Sequence, residues 1–150
     1  MNPSTGANVR PAEPADFDAV TALLEELGRP VVTDRDACRA VYESQLADET
    51  ACHLVAYDES GNLTGFCSLH FRTRLNHTTL EAWVPDLIVT EAARRRGTAI
   101  ALLSEAERLA RERGCHQLTL ESAHFRKPAH ALYTAFGMDQ PGLTFGKPLL

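Results

Sequence analysis

The sequence predicts a layered α/β domain, in which a mixed β-sheet carries helices on its faces. Segments with helical periodicity alternate with short strand-like segments. Two strand segments flank a turn-rich stretch at residues 58–62, which is typical of an antiparallel hairpin. In the carboxyl-terminal part of the sequence strands and helices alternate, which predicts parallel pairing of neighbouring strands. The 150 residues suit one domain, predicted over 1–150 with residues 1–7 disordered.

Each predicted element has a local signal. The first helix begins near Pro14, carries acids in its first turn and stops at Gly28. A second helix should run from residue 33 or 34 to about residue 46. The order is β-α-α-β-β-β-α-β-α-β. The remaining predicted elements are strands at 8–12, 51–57, 63–72, 80–89, 115–122 and 143–150, and helices at 94–113 and 127–137.

Composition and charge exclude several classes of protein. The net charge of −5 argues against a general nucleic-acid binder. No window approaches 18 consecutive apolar residues, so no membrane span is expected. The amino terminus has no basic start followed by an apolar run, which favours a cytoplasmic location. None of the six histidines forms a zinc motif, so no metal site is predicted.

Three consecutive arginines at residues 94–96 stand at the predicted start of a helix. Cations are unfavourable there, because a helix N-terminus carries a partial positive charge and unpaired N–H donors. A bound diphosphate would reverse this penalty. Gly97 and Ala99 are small and would let a ligand approach the backbone. The alternative is a solvated arginine run that begins a surface helix. The spacing matches neither a nucleoside-triphosphatase loop nor a dinucleotide fingerprint.

The pattern Arg94-x-x-Gly97-x-Ala99, directly after a predicted strand, resembles the acyl-CoA pyrophosphate loop of the GNAT superfamily of N-acetyltransferases. A second block, at residues 126–138, is similar to a later motif of the same superfamily, with Ala129 four residues before Tyr133. The order of elements matches over nearly the whole chain. The resemblance implies a mostly antiparallel sheet of about six or seven strands flanked by about four helices. It also implies transfer of an acetyl group from acetyl-CoA to an amine, by direct attack in a ternary complex.

The resemblance further implies which residues hold acetyl-CoA. A bulge near Pro85 would splay the strand and admit the cofactor, consistent with a residue that cannot donate to a sheet ladder. The strand residues after Pro85 would bind the pantetheine arm through their main chain, and the arginine turn would bind the pyrophosphate. The predicted cofactor-binding residues are Leu87, Ile88, Val89, Arg94, Arg95, Arg96, Gly97, Thr98, Ala99 and Arg126.

Tyr133 is the predicted general acid, which would donate a hydrogen bond to the departing thiolate. The candidate bases are Glu81 and Asp86, followed by Glu121 and His124, and water could carry the proton instead. Strand alternation puts Glu81 and Asp86 on opposite faces unless a bulge intervenes, so only one of them is expected to serve.

A small molecule with a primary amine is the predicted acceptor, attracted by an acidic cleft. The stretch at residues 69–89 is loosely similar to members that act on aminoalkylphosphonates or aminoglycosides. Arg72 and Arg74 could bind a phosphonate or could simply be solvated. The alternatives are acetylation of a protein, a non-catalytic acyl-CoA sensor and a plain interaction module. Relatives often dimerise, so a homodimer is a further expectation.

Overall fold

A computed structural model describes residues 8–28, 34–121 and 127–150. Within these residues the chain forms seven strands and four α-helices, in the order β-α-α-β-β-β-β-β-α-β-α. Residues Met1–Leu120 and Glu121–Leu150 make two separate units. No helix of the described residues is long and apolar enough to cross a membrane. The elements are β1 (Asn8–Pro11), α1 (Phe17–Glu26), α2 (Arg35–Leu46), β2 (Leu54–Tyr57), β3 (Leu63–Cys67), β4 (His70–Thr73), β5 (Leu80–Val84), β6 (Leu87–Val89), α3 (Thr98–Glu112), β7 (Gln117–Leu120) and α4 (Lys127–Ala135).

The strands form two sheets, one in the order β1-β2-β3-β6 and one in the order β4-β5-β7. Every neighbouring pair is antiparallel except β5 and β7, which run parallel. The mixed, mostly antiparallel architecture predicted from the sequence is therefore confirmed. The parallel pair follows from its connection, because β5 reaches β7 through β6 and the crossover helix α3.

The first two helices begin where the sequence indicates. A 3₁₀ turn at Pro14–Asp16 leads into α1, and the buried Asp16 carboxylate accepts hydrogen bonds from Arg10 at 2.8 and 3.0 Å. Asp34 caps α2 by accepting the Ala37 N–H at 2.9 Å. Such a cap satisfies one of the donors that a helix start leaves unpaired, and it stabilises the helix by about 1 kcal/mol.

Helices cover both faces of the four-stranded sheet. On one face α3 buries Leu102, Ala106 and Ala110 against strand residues such as Leu54 and Cys67. On the other face, side chains of α1 and α2 pack against β2, β3 and β6. Each fully buried leucine or phenylalanine stabilises the fold by about 1.5–3 kcal/mol before the conformational entropy cost is subtracted. The members of this second cluster include Phe17, Val20, Leu23, Tyr42, Val55, Phe66 and Ile88.

Four element predictions need correction. The strands predicted at 63–72 and 80–89 are each broken in two, at Ser68–Leu69 and at Pro85–Asp86. The helix predicted at 94–113 begins at Thr98, so the three arginines precede it. No strand forms at residues 143–150 of the described chain, although strand propensity is present there. Pro148 lacks the N–H that a ladder needs.

Candidate active site

The chain passes from one sheet to the other at the break Pro85–Asp86, which separates β5 from β6. Before the break, β5 pairs with β7 as far as Val84 opposite Leu120. After the break, β6 pairs with β3, and among the described strands no other pairs with it. The two sheets therefore diverge beyond Val84, and one edge of β6 is left open. The bulge expected near Pro85 is therefore a complete break between two strands.

Hydrogen bonds identify which backbone groups of β6 point to its open edge. The Ser68 N–H donates to the Asp86 carbonyl, and the Thr90 N–H donates to the Thr64 carbonyl, both at 2.9 Å. Because antiparallel pairing alternates, the backbone groups of residues 86, 88 and 90 face β3, whereas those of Leu87 and Val89 face away. The Val89 carbonyl accepts from Arg94 Nε at 3.1 Å.

The loop between β6 and α3 combines a short helical turn with two left-handed residues. Glu91–Ala93 makes one 3₁₀ turn, and Arg94 is extended. Arg95 has a φ of 64° and Gly97 a φ of 80°, both in the left-handed region. Left-handed residues at such close spacing bring successive N–H groups into concavities that bind anions. These two residues also explain why α3 cannot begin at the arginines.

The start of α3 adds unpaired donors to this turn. Its first backbone hydrogen bond runs from the Ala101 N–H to the Gly97 carbonyl, so the N–H groups of residues 98–100 have no acceptor within the helix. No side chain caps the helix at Gly97, and its first turn has no acidic residue. The Arg94, Arg95 and Arg96 side chains are exposed beside it. The turn therefore suits an anion such as a diphosphate.

Two residues outside this loop hold it in place. Glu26, the last residue of α1, accepts from the Thr90 hydroxyl at 2.8 Å and from the Glu91 N–H at 3.1 Å. Gly65 lies beneath the first turn of α3, and a Cβ there would meet the Thr98 Cγ2 at 3.3 Å. Sequence reasoning missed both, because each acts on residues distant in the chain.

A cavity of about 340 Å³ lies between α1, α2 and the sheet. Pro85 and Asp86 both line it, so strand alternation fails at the break and two successive residues face the same space. These two residues directly precede Leu87, the first residue of β6, so the cavity lining and the open edge of β6 adjoin along the chain. The other lining residues are Phe17, Val20, Thr21, Leu24, Cys38, Val41, Tyr42, Gln45, His53, Phe66, Ser68, His70 and Trp83.

Asp86 is the one charged side chain among the described residues that line the cavity. Ser68 holds this residue: the Asp86 N–H donates to Ser68 Oγ at 2.9 Å, and Ser68 Oγ lies 3.3 Å from Asp86 Oδ2. The hydroxyl thus orients both the main chain and the carboxylate at the strand break. Ser68 has no distinctive sequence signal, because its partner is eighteen residues away.

Two imidazoles line the cavity. Burial lowers the pKa of His53 to about 4, and His70 nearby adds to the effect. His53 Nδ1 accepts the Leu69 N–H at 3.3 Å, so Nε2 carries the proton that is donated to Gln45 Oε1 at 2.6 Å. Burial also lowers the pKa of His70. Both rings are therefore predominantly neutral at neutral pH.

Glu81 lies away from the cavity. It is only 2% exposed, and its carboxylate accepts from Arg72 Nε at 2.7 Å and lies 3.9 Å from an Arg74 nitrogen. The pair explains how a carboxylate is buried in β5, because an unpaired buried charge would be far more costly. Arg72 and Arg74, which the sequence offered as phosphonate ligands, are therefore both ion-paired with Glu81.

The remaining predicted site residues belong to the second unit or lie outside the described residues. Tyr133 is on α4, in the unit Glu121–Leu150, and is half-buried. Glu121 is exposed after β7. Arg126 and His124 fall outside the described residues. Their predicted roles stay predictions.

A family model described as the acetyltransferase (GNAT) family matches residues 18–138. The chain belongs to the GNAT acetyltransferase family. It is 30% identical over 141 residues to the aminoalkylphosphonate N-acetyltransferase of Salmonella typhimurium strain LT2, which covers 94% of this chain and 90% of that protein. The family assignment made from the arginine turn and the Tyr133 block is therefore confirmed.

Solved structures share the GNAT fold. Glucosamine-6-phosphate N-acetyltransferase from Arabidopsis thaliana superposes with a TM-score of 0.83 at 15% identity, over 95% of this chain and 98% of that chain. AAC(6′)-Iy in complex with the bisubstrate analogue CoA-S-monomethyl-acetylneamine superposes with a TM-score of 0.82 at 17% identity, over 95% and 97%. At these identities the superpositions show a common architecture.

Proposed function

We propose that this GNAT protein transfers an acetyl group from acetyl-CoA to the primary amine of a small molecule, by direct attack in a ternary complex. The observation that carries the proposal is the meeting of two features at Pro85–Asp86. Pro85 and Asp86 line the cavity, and β6, with its open edge, begins at the next residue. An amine in the cavity would adjoin a ligand bound along that edge. Family membership and the CoA-based analogue bound to AAC(6′)-Iy support the same assignment.

The residues of this chain fit an acyl-CoA. The outward backbone groups of Leu87 and Val89 can pair with the amides of a pantetheine arm, as an added strand would. The expected main-chain role of Ile88 needs correction, because its backbone pairs with Phe66 in β3 and its side chain is buried against α1 and α2. The N–H groups of residues 95–99 and the Arg94–Arg96 guanidiniums suit the diphosphate. Acetyl-CoA, when bound, supplies the acetyl group as an activated thioester.

Of the two strand carboxylates, we propose Asp86 as the group that attracts the ammonium form of the acceptor and receives its proton, directly or through water. Asp86 lines the cavity, whereas Glu81 is buried against Arg72. Tyr133 is proposed as the acid that donates its O–H to the departing sulfur. Such a donor lowers the barrier even though a phenol, with a pKa near ~10, is a weaker acid than a thiol near ~8.5.

Release of CoA thiol from acetyl-CoA in the presence of a panel of primary amines tests the activity. Amine-dependent turnover is expected. Binding of CoA in calorimetry without turnover would instead identify a non-catalytic sensor, and absence of CoA binding would contradict the site. The homodimer and the cytoplasmic location stay predictions, and size-exclusion chromatography with light scattering checks the first.

Two glycines at opposite ends of α3 provide a matched pair for the cofactor turn. Gly97 and Gly114 both have a positive φ, so the backbone strain of a substitution is similar at the two ends. G97E puts a carboxylate among the unpaired N–H groups and should raise the KM for acetyl-CoA at least about tenfold. G114E should leave that KM unchanged. Equal effects of the two substitutions would contradict the anion site.

A further inference from the structure

We propose that His70 takes the proton from the ammonium form of the acceptor, and that Asp86 acts at the site through its charge. The inference rests on the proposed function and divides between two residues the task given there to Asp86. His70 is the first residue of β4, and both His70 and Asp86 line the cavity. An amine in the cavity would therefore have an imidazole and a carboxylate on the same wall.

The His70 ring is positioned by two neighbouring rings and keeps a nitrogen for a ligand. Its centre lies 5.5 Å from the centre of the Trp83 ring and 5.2 Å from that of the His53 ring. Within the described part of the chain neither nitrogen of His70 makes a hydrogen bond, and even the buried Trp83 Nε1–H finds no acceptor there. One nitrogen of a neutral imidazole carries a lone pair, so this ring can accept a proton.

His53, the other imidazole on the wall, is already committed to the fold. Its Nδ1 accepts the Leu69 N–H and its Nε2 donates to Gln45 Oε1, so no lone pair is left for a substrate. Protonation of Nδ1 would break the bond to Leu69 and place a charge on a side chain that is buried. His53 therefore supports the neighbouring ring, and His70 is the imidazole that can react.

The charges around His70 suit reversible protonation. Burial lowers the pKa of His70, and Arg72, two residues along β4, adds to this effect. The carboxylates of Asp86 and Asp48 act in the opposite direction, because they stabilise the imidazolium. The neighbouring His53 adds no charge near neutral pH, since its pKa is about 4. The ring is thus neutral at pH 7, and two carboxylates favour the cation that forms when it accepts a proton.

The proton balance of the transfer is complete with this assignment. His70 takes one proton from the ammonium, and the amine nitrogen then bonds to the thioester carbon while the carbon–sulfur bond breaks with its electron pair on sulfur. A second proton leaves the nitrogen, and the sulfur gains one. The imidazolium finally gives its proton to water, so each turnover releases one net proton.

The test follows kcat/KM for the amine from pH 5 to pH 9 at saturating acetyl-CoA, with whichever of 2-phenylethylamine, 2-aminoethylphosphonate and spermidine is acetylated fastest. H70Q keeps a polar side chain without a titrating group, so the substrate must lose its proton in solution. The variant should lower kcat/KM about a hundredfold at pH 7 and less than about tenfold at pH 9, because the free fraction of an amine of pKa near ~10 rises about a hundredfold over that range. H77Q, at an exposed histidine that does not line the cavity, should leave the profile unchanged.

An Asp86 variant separates the two parts of the proposal. D86N removes the charge that attracts the ammonium, so its deficit in kcat/KM should stay constant within about threefold from pH 7 to pH 9. A deficit of H70Q that does not change with pH, or a pH-dependent deficit of D86N alone, would overturn His70 as the proton acceptor and leave the acetyltransferase function intact. If the wild type acetylates none of the amines, the proposed function and this inference both fail.

A measurement on the wild-type protein decides the matter if H70Q does not fold. The acidic limb of kcat/KM reports the pKa of the base in the acetyl-CoA-bound enzyme. NMR titration of the His70 Cε1–H in the CoA complex, with the resonance identified by its contact with the Trp83 ring, reports the pKa of the imidazole directly. The two pKa values should agree within about 0.5 and lie below the ordinary 6.5, and a larger difference would overturn the assignment.

Discussion

Gly65→Ala tests how the packing beneath α3 sets the cofactor turn. An alanine Cβ would lie 3.0 Å from Leu102 Cδ1, 3.2 Å from the Ile88 carbonyl oxygen and 3.3 Å from Thr98 Cγ2. Carbon atoms normally approach to about 3.5–4.0 Å. The Ile88 carbonyl belongs to the sheet and Leu102 is fully buried, so neither can yield without moving its neighbours.

Overpacking of this kind costs about 1–3 kcal/mol, because the surrounding core must shift. For a chain of this size, each kcal/mol lowers Tm by about 2–4 °C, so a decrease of about 2–12 °C is expected. Thr98 is the first residue of α3, so the shift should also misplace the donors beside Gly97. The KM for acetyl-CoA should rise several-fold, while kcat at saturation changes less than about twofold.

Urea unfolding and steady-state kinetics measure both effects. Gly142→Ala is the matched control, because its Cβ would meet nothing within 4 Å. A Gly65→Ala protein with the wild-type unfolding midpoint and the wild-type KM would refute the reasoning. So would an equal loss of stability in the control, since that would attribute the effect to the glycine replacement itself.

Three further results are expected. Glu26→Ala should raise the KM for acetyl-CoA about two- to fivefold, because its carboxylate fixes the turn after β6. Glu25→Ala, at the exposed neighbouring residue, is the control. Equal effects of the two substitutions on KM would contradict a positioning role for Glu26. Tyr133→Phe should lower kcat about a hundredfold with the calorimetric Kd for CoA unchanged, and survival of kcat would move the acid elsewhere. The folded pKa of His53, about 4, is below its ordinary value of 6.5, so the unfolded chain binds the extra proton between these values and stability rises with pH there. Urea unfolding should show a loss of about 2 kcal/mol from pH 7.5 to pH 5 that His53→Gln largely removes, and an equally steep pH dependence in the variant would exclude His53 as its source.

Local chemistry made most of the fold predictable. Pro14 and Asp34 mark helix starts through properties of one or two neighbouring residues, and Pro85 marks a strand break because it lacks an N–H. The start of α3 was mispredicted because Arg95 adopts a positive φ, which its residue type disfavours and its sequence does not announce. The absent strand at residues 143–150 shows that propensity alone does not supply a pairing partner.

The part of the candidate site that one continuous segment forms could be predicted from the sequence. The part that combines residues from several elements could not. The arginine turn is contiguous, so its donors follow from a short motif. The cavity instead combines residues from Phe17 to Asp86, which only the sheet order brings together. Ser68, Glu26 and His53 therefore escaped the sequence analysis, since each acts through partners eight or more residues away.

Helix α1 touches both halves of the site. Phe17 at its start lines the proposed acceptor cavity, while Glu26 at its end holds the turn after β6. Ten residues of helix make a rigid rod of about 15 Å between them. Substitutions on α1 that change the acceptor specificity would therefore tilt the helix and lower the affinity for acetyl-CoA. The same redesign made on α2, through positions such as Val41, should leave the affinity for acetyl-CoA unchanged. Helix α2 is therefore the better starting point for directed evolution.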